Sequence, residues 1–327
     1  MEIVIDEKAK LKTVREFLFR DLGFSTGMVK KLKFIENGIT VNGKFVTVRY
    51  VLQEGDVLRL LTDDREEDTC PYMIPAELPI KIAFEDEYLT VVDKPPMMPA
   101  HPSYMHRLDT VANALAFRYS DAPFVFRPVN RLDRDTSGLM LTARTRPAAS
   151  KLYGSMINGE ITKLYIALLS KEPPERSGII KTYMKRVDDS IIMRRVCEES
   201  EEKAKLALTA YKVIYSAPGV CAVIASPVTG RTHQLRVHFS YLGCPLLGDT
   251  MYGGSDELIG RHALHSAYLS FPHPEGGNLC EIFSPMPEDM RAVAGEYADR
   301  IDSAFREEIH GELKTLREKC LVYKKGL

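Results

Sequence analysis

The chain has 327 residues, 45% of them apolar, with 44 Lys and Arg against 45 Asp and Glu. It is too long for one ordinary compact core and too apolar to be disordered throughout, so one domain of roughly 200 residues with a smaller appendage is expected. A formal net charge of −1 neither requires nor excludes a nucleic-acid partner, because phosphate binding depends on local clusters of cations.

In chain order, "TVREFLFRDLG" (13–23) sets Val14, Phe17 and Leu18 at helical spacing, with Thr13 as cap, Glu16 three residues on and Gly23 as a stop. "STGMVKKLKFIENG" repeats the pattern with Met28, Leu32 and Ile35 inward, while Lys30, Lys31 and Lys33 crowd a neighbouring face. "ITVNGKFVTV" alternates around Asn42-Gly43, a strong hairpin signal, and "EGDVLRLL" adds a turn and a strand. Residues 1–62 carry eleven Lys/Arg against eight Asp/Glu. From charge alone the three lysines are a solvated face. The order helix, basic helix, "VNGK" hairpin and "EGDVLRL" resembles the S4-like RNA-binding domain, which implies that Lys30, Lys31 and Lys33 contact RNA.

"DDREEDTCPYMIPAELP" is acidic and then proline-bearing, and reads as a linker over residues 63–79, joining the units flexibly. "IKIAFEDEYLTVVDKPP" holds two strands about an acidic turn. Strands and helices then alternate to about residue 290, and a charged helical tail occupies 291–327. The six cysteines, at 70, 197, 221, 244, 280 and 320, have no matched spacing, so reduced thiols are expected rather than disulfides or a zinc site. His262 and His265 lack companion ligands, and no metal is expected. No stretch reaches the ~18 apolar residues of a membrane span, and the opening "MEIVIDEKAK" is unlike a signal peptide. A soluble, cytoplasmic protein is expected.

Two Arg-Leu-Asp triplets stand close together, "HRLD" (106–109) and "NRLD" (130–133). Asp109 and Thr110 precede a helical run of Val111, Leu115 and Tyr119, where an N-cap or turn role suffices for Asp109. Asp133 instead sits in a polar loop ahead of the apolar run Leu139 to Leu141, among Arg127, Arg131 and Arg134. Those cations are expected to lower its pKa and keep it ionised, as suits a nucleophile or electrostatic stabiliser. Pairing with a neighbouring arginine is the competing explanation.

"VVDKPPMMPAHPS" (91–103), "NRLDRDTSGL" (130–139), "KLYIAL" (163–168) and "GRTHQLRVHFSYLGCPLLGD" (230–249) resemble, in order and spacing, the RluA/RluD family of RNA pseudouridine synthases over residues 80–290. The resemblance implies an α+β pseudouridine synthase fold, with a mixed, mostly antiparallel central sheet flanked by helices, after a small N-terminal S4-like α/β domain. It places the family's catalytic aspartate on Asp133, its active-site tyrosine on Tyr165 and its aspartate-pairing arginine on Arg236. Arg131, Leu132, Arg231 and His233 fall in the same motifs and are expected to bind RNA. No cofactor is implied, RNA is the implied partner, large-subunit ribosomal RNA ahead of transfer RNA, and a monomer is expected. One position departs from the family, Asn130 standing where His is usual.

Read from the residues, Leu164, Ile166 and Leu168 share a strand face and send Tyr165 to the other, either to stack on a base or to pack in the core. Thr232 is expected to cap a helix closed by Gly243, with Leu235, Phe239 and Leu242 buried and Arg236 off that stripe. Arg236 there either pairs with a carboxylate or is solvated. Two other functions compete: a non-catalytic RNA-binding or ribosome-assembly protein, and a hydrolase using Ser137, His233 and an Asp, for which no Gly-x-Ser-x-Gly elbow is present.

Overall fold

The computed structural model describes residues 1–63 and 73–325, so Cys70 and much of the expected linker lie outside the described residues. The first unit runs β1 (Glu2–Val4), α1 (Val14–Glu16), α2 (Thr26–Phe34), β2 (Ile39–Val41), β3 (Lys44–Phe45) and β4 (Val57–Leu60). Thr13 and Glu16 close the capping box that starts α1, and a π-helical turn, Phe17–Asp21, prolongs it to Gly23. Ser25 caps α2 by accepting from the Met28 N–H at 3.2 Å. Asn42 and Gly43 take φ of 51° and 76°, the two left-handed residues that a tight hairpin between β2 and β3 requires. The sheet has the order β1-β4-β2-β3 and is antiparallel throughout. Val14, Leu18, Met28, Leu32, Leu52 and Leu58 fill the core between it and the helices.

The second unit begins with β5 (Lys81–Glu85), β6 (Leu89–Lys94), α3 (Val111–Arg118), β7 (Ser137–Ala143), α4 (Arg146–Asn158) and β8 (Thr162–Leu169). It continues with β9 (Ser177–Arg186), β10 (Arg194–Cys197), β11 (Lys205–Ala217), β12 (Val220–Pro227), α5 (Gln234–Tyr241), β13 (Leu264–Pro272) and β14 (Leu279–Phe283). One sheet of order β10-β9-β11-β12-β8-β13-β7-β6-β5, with β14 also on β13, holds all ten strands. Among these pairings β13 with β7 is parallel and the rest are antiparallel, as the mixed-sheet expectation has it. The parallel junction depends on Gly138, whose φ is +104° and where any side chain would collide with the Ser266 backbone. A larger residue would force β7 and β13 apart just beyond the 130–136 loop.

Alternation along β8 divides the core. Tyr165, Ala167 and Leu169 face Leu132, Met140, Leu235 and Phe239, while Leu164, Ile166 and Leu168 face the opposite layer. That second layer is closed by α6 (Glu288–Ala294), α7 (Ala298–Glu308) and α8 (Glu312–Lys325), through buried Met290, Ile301, Phe305, Leu313 and Cys320. The helical tail beyond residue 291 is thus packed into the same core as the sheet. Each such large side chain removed from water contributes about 1.5–3 kcal/mol. Arg317 and Lys324 on α8 also donate to the carbonyls of Gly159, Ile161 and Ile157 where α4 ends.

Two corrections concern helix starts. Thr110, not Asp109, caps α3, in a buried capping box with Asn113, because its hydroxyl already meets the Asn113 N–H. Asp109 turns away to His106, at 2.6 Å. Thr232 does not cap α5; the N-cap is His233 at φ 57°, without a side-chain bond, and Gln234 holds the turn by accepting from the Arg231 N–H at 3.1 Å.

The first unit, expected to hang on a flexible joint, rests on α4. Ser150 accepts from the Ser25 N–H at 2.5 Å and donates to the Gly23 carbonyl at 3.2 Å. A cavity of about 300 Å³ lined by Met28, Leu32, Ala149 and Tyr153 lies beside this contact. The five described cysteines are free thiols, and no described helix is long and apolar enough to cross a membrane.

Candidate active site

The loop 130–136 leaves Asp133 partly exposed, at 27% of its side chain, between two buried anchors. Leu132 is sunk in the core beneath it, so this side chain fixes the loop instead of meeting RNA as expected. Asn130 accepts from the Leu141 N–H at 2.7 Å, an anchoring bond that an amide supplies without the usual His. Thr136 bonds His262 at 2.8 Å, and burial pushes that imidazole down to about 2, leaving it neutral.

Lys94, at the end of β6, is 1% exposed and donates to the carbonyls of Pro95, Met98 and Arg134, each at 2.8 Å. Three carbonyl acceptors match the three ammonium donors, so one lysine ties the segment after β6 to the loop bearing Asp133. Burial lowers its pKa to about 7, with Asp135 and Asp133 opposing.

Arg236, on α5, enters from the other side. It makes a bidentate pair with the fully buried Asp249, Nε to Oδ2 at 2.8 Å and Nη2 to Oδ1 at 2.6 Å, and its remaining Nη1 lies 3.9 Å from Asp133 Oδ2. Arg236 therefore reaches Asp133, but its closest partner is Asp249. The guanidinium also lies 4.9 Å from the ring centre of Tyr252, whose hydroxyl bonds His233 at 2.8 Å.

The electrostatics reverse one expectation. Burial raises the Asp133 carboxyl above its ordinary range, and Arg236, Lys94 and Arg131 only partly offset it while Asp249 adds to it. The expected arginine cluster is weaker than it reads. Arg134 turns to Asp135, with Nε to Oδ1 at 2.8 Å, and Arg127 donates to the carbonyls of Val125 and Arg144. Tyr165 is 6% exposed on β8; burial and then Asp133 push its hydroxyl up, and a bond with Ser266 works against them.

Asp133, Tyr165 and Arg236 thus converge from a loop, a strand and a helix. Arg131 stands exposed beside Asp133. Arg231 is exposed, with its Nε on the Leu206 carbonyl at 2.8 Å, and His233 is half-buried behind Arg236, its pKa lowered to about 4 by burial and by Arg236. Lys30, Lys31 and Lys33 are exposed on α2 of the first unit. The Ser-His-Asp alternative fails on geometry: Ser137 is 2% exposed and bonds His265, not His233, and the far nitrogen of His265 meets the Ser284 carbonyl. Reading the residues missed Lys94 and Asp249 as members of the site. Both end quoted motif segments, "VVDK" and "LLGD", and a charged residue closing an apolar run was the available signal.

A ten-stranded mixed sheet with a carboxylate loop, a facing tyrosine and a buried arginine defines a pseudouridine synthase fold, and the chain belongs to the RNA pseudouridine synthase family. The family described as RNA pseudouridylate synthase matches residues 88–241. The RNA pseudouridine synthase YjbO of Bacillus subtilis is 37% identical over 287 residues, 87% of this chain and 99% of that protein. The ribosomal large subunit pseudouridine synthase D of Vibrio cholerae is 33% identical over 84% of this chain and 86% of its own. The yeast mitochondrial tRNA pseudouridine(32) synthase is 35% identical, with 47% of its length matched. Among solved structures, human RNA pseudouridylate synthase domain containing 1 aligns at a TM-score of 0.52 with 28% identity, over 69% of this chain and 87% of that one. The protein is accordingly an isomerase acting on RNA.

Proposed function

We propose that the chain converts specific uridines of large-subunit ribosomal RNA to pseudouridine, with Asp133 as the reacting carboxylate. The observation that carries this reading is the convergence on Asp133: a desolvated carboxylate within 3.9 Å of a buried arginine, with Tyr165 in electrostatic reach. The target nucleotide is extruded from its stack into the cleft. There the bond from N1 to the sugar breaks, the uracil turns, and C5 bonds the same sugar carbon as C5 loses its proton and N1 gains one. Asp133 acts as nucleophile or base. Tyr165 stacks on the uracil and stands near the C5 proton, and Arg236, held by Asp249, orients Asp133 through its free Nη1.

The first unit serves as an S4-like RNA-binding domain through Lys30, Lys31 and Lys33, and Arg131, Arg231 and His233 line the RNA path. The ribosomal target is favoured because the ribosomal relative matches along most of both chains, whereas the transfer-RNA relative matches over less than half of its own length. Mapping pseudouridines in a strain lacking the gene tests the target. Sites missing from large-subunit RNA are expected; loss confined to transfer RNA would overturn the ribosomal assignment.

A further inference from the structure

Between β6 and α3 the chain makes an excursion, residues 101–109, closed at its base by bonds from the Val111 N–H to the Pro99 carbonyl, 2.9 Å, and from Ala112 to Ala100, 3.2 Å. Its outer end is a tight two-residue turn: Ser103 and His106 exchange both backbone bonds, at 2.8 and 3.1 Å. The turn residues are Tyr104 and Met105, 84% and 79% exposed, among the most exposed large apolar side chains described. Leu108, half exposed, continues the patch.

This projection is stiffly held. His106 bonds Asp109 at 2.6 Å, the Arg107 carbonyl accepts from the Asn113 side chain at 3.0 Å, and His101 meets the Phe126 ring edge-on at 5.2 Å. It also stands at the cleft. One foot, His101, feels the charge of Arg131, and the other, Asp109, feels that of Arg134, so the two feet flank Asp133. Lys94 adds a direct tie, bonding both the Met98 and Arg134 carbonyls.

We propose that the Tyr104–Met105 tip is a wedge that enters the RNA stack beside the target uridine and takes the place of the extruded base. An exposed aromatic and a thioether cost stability in water and gain it against base faces, and sequence-tolerant stacking on aromatics is how unstacked bases are held. Apolar wedges between base steps offset the unstacking cost in other nucleic-acid complexes. The charges fit a polyanion: Arg107 lies 5.7 Å from the Tyr104 ring centre and Arg131 stands at the foot, so cations bracket the apolar tip. RNA is the occupant to which this composition commits.

The inference rests on the pseudouridine reading and is tested with the full-length protein. Wild type, Tyr104→Ala/Met105→Ala and the exposed-surface control Val322→Ala are compared on two unmodified transcripts. One is a stem-loop carrying the uridine that wild type modifies; the other is the same segment as an unstructured strand. On the stem-loop the double variant should lose about tenfold or more in single-turnover rate at saturating RNA, the scale of one lost base stack. On the unstructured strand, where nothing need be unstacked, it should match wild type within about threefold. Equal rates on the stem-loop, or equal losses on both RNAs, would overturn the wedge. So would a loss seen only on assembled ribosomal particles, which would mark a protein-docking tip. Inactivity of wild type on both transcripts would instead sink the functional reading, and the wedge with it.

Discussion

The raised pKa of Asp133 has a measurable cost. A carboxyl whose folded pKa exceeds its unfolded value adds to stability while protonated, and that contribution is lost as pH rises through the folded pKa. Asp133→Asn, which stays neutral, should therefore melt at or above wild type near pH 7, and the difference should vanish around pH 3. Lower stability of the variant at neutral pH, followed by thermal melts, would contradict the desolvated carboxylate. Arg236 behaves differently. Arg236→Met strands Asp249 as an unpaired buried charge, so a loss of about 3–5 kcal/mol is expected, and a double variant with Asp249→Leu should recover much of it. Additive losses in denaturant titrations would argue that the two side chains are independent. Asp133 and Tyr165 were legible because loop polarity and strand alternation are local signals. The Arg236–Asp249 pair spans thirteen positions and the bonds of Lys94 reach forty positions to Arg134, and no local pattern encodes such a partner.

Among the elements, strands and their facing were readable wherever apolar residues alternate, as in β8, and so were the capping box at Thr13 and the Asn42-Gly43 turn. Helix starts were less secure when two capping residues adjoin. In Asp109-Thr110 the choice fell to Thr110, because its hydroxyl is enclosed with Asn113 while Asp109 faces solvent and His106. Thr110→Ala should cost about 1–2 kcal/mol by urea unfolding and Asp109→Asn at most about 0.5. The reverse ranking would return the cap to Asp109. At α5 the Thr232 assignment failed because Gln234 satisfies the turn from inside the helix, an arrangement without a sequence signature.

At the scale of the whole molecule, the order of the units was legible from composition, and their contact was not. Ser150 reads as an ordinary helix serine, and only the fold brings Ser25 and Gly23 to it across more than a hundred residues. The same holds for the C-terminal helices, whose charged pattern gives no hint that Phe305 and Cys320 complete the sheet's second layer. Binding and chemistry should nevertheless separate. Removing residues 1–62 takes away α2 and its lysines but none of the groups around Asp133, so affinity for structured ribosomal RNA should fall and its dependence on salt flatten, as fewer phosphates are neutralised. A residual rate at saturating RNA should survive, and an unchanged salt slope would show that the first unit does not touch the backbone. The account turns on Asp133, and the most direct test is to incubate wild type and Asp133→Asn with unmodified large-subunit RNA and map pseudouridine chemically, measuring binding in parallel. The variant is expected to bind RNA near normally and form no pseudouridine; pseudouridine formed at the wild-type rate would contradict the account.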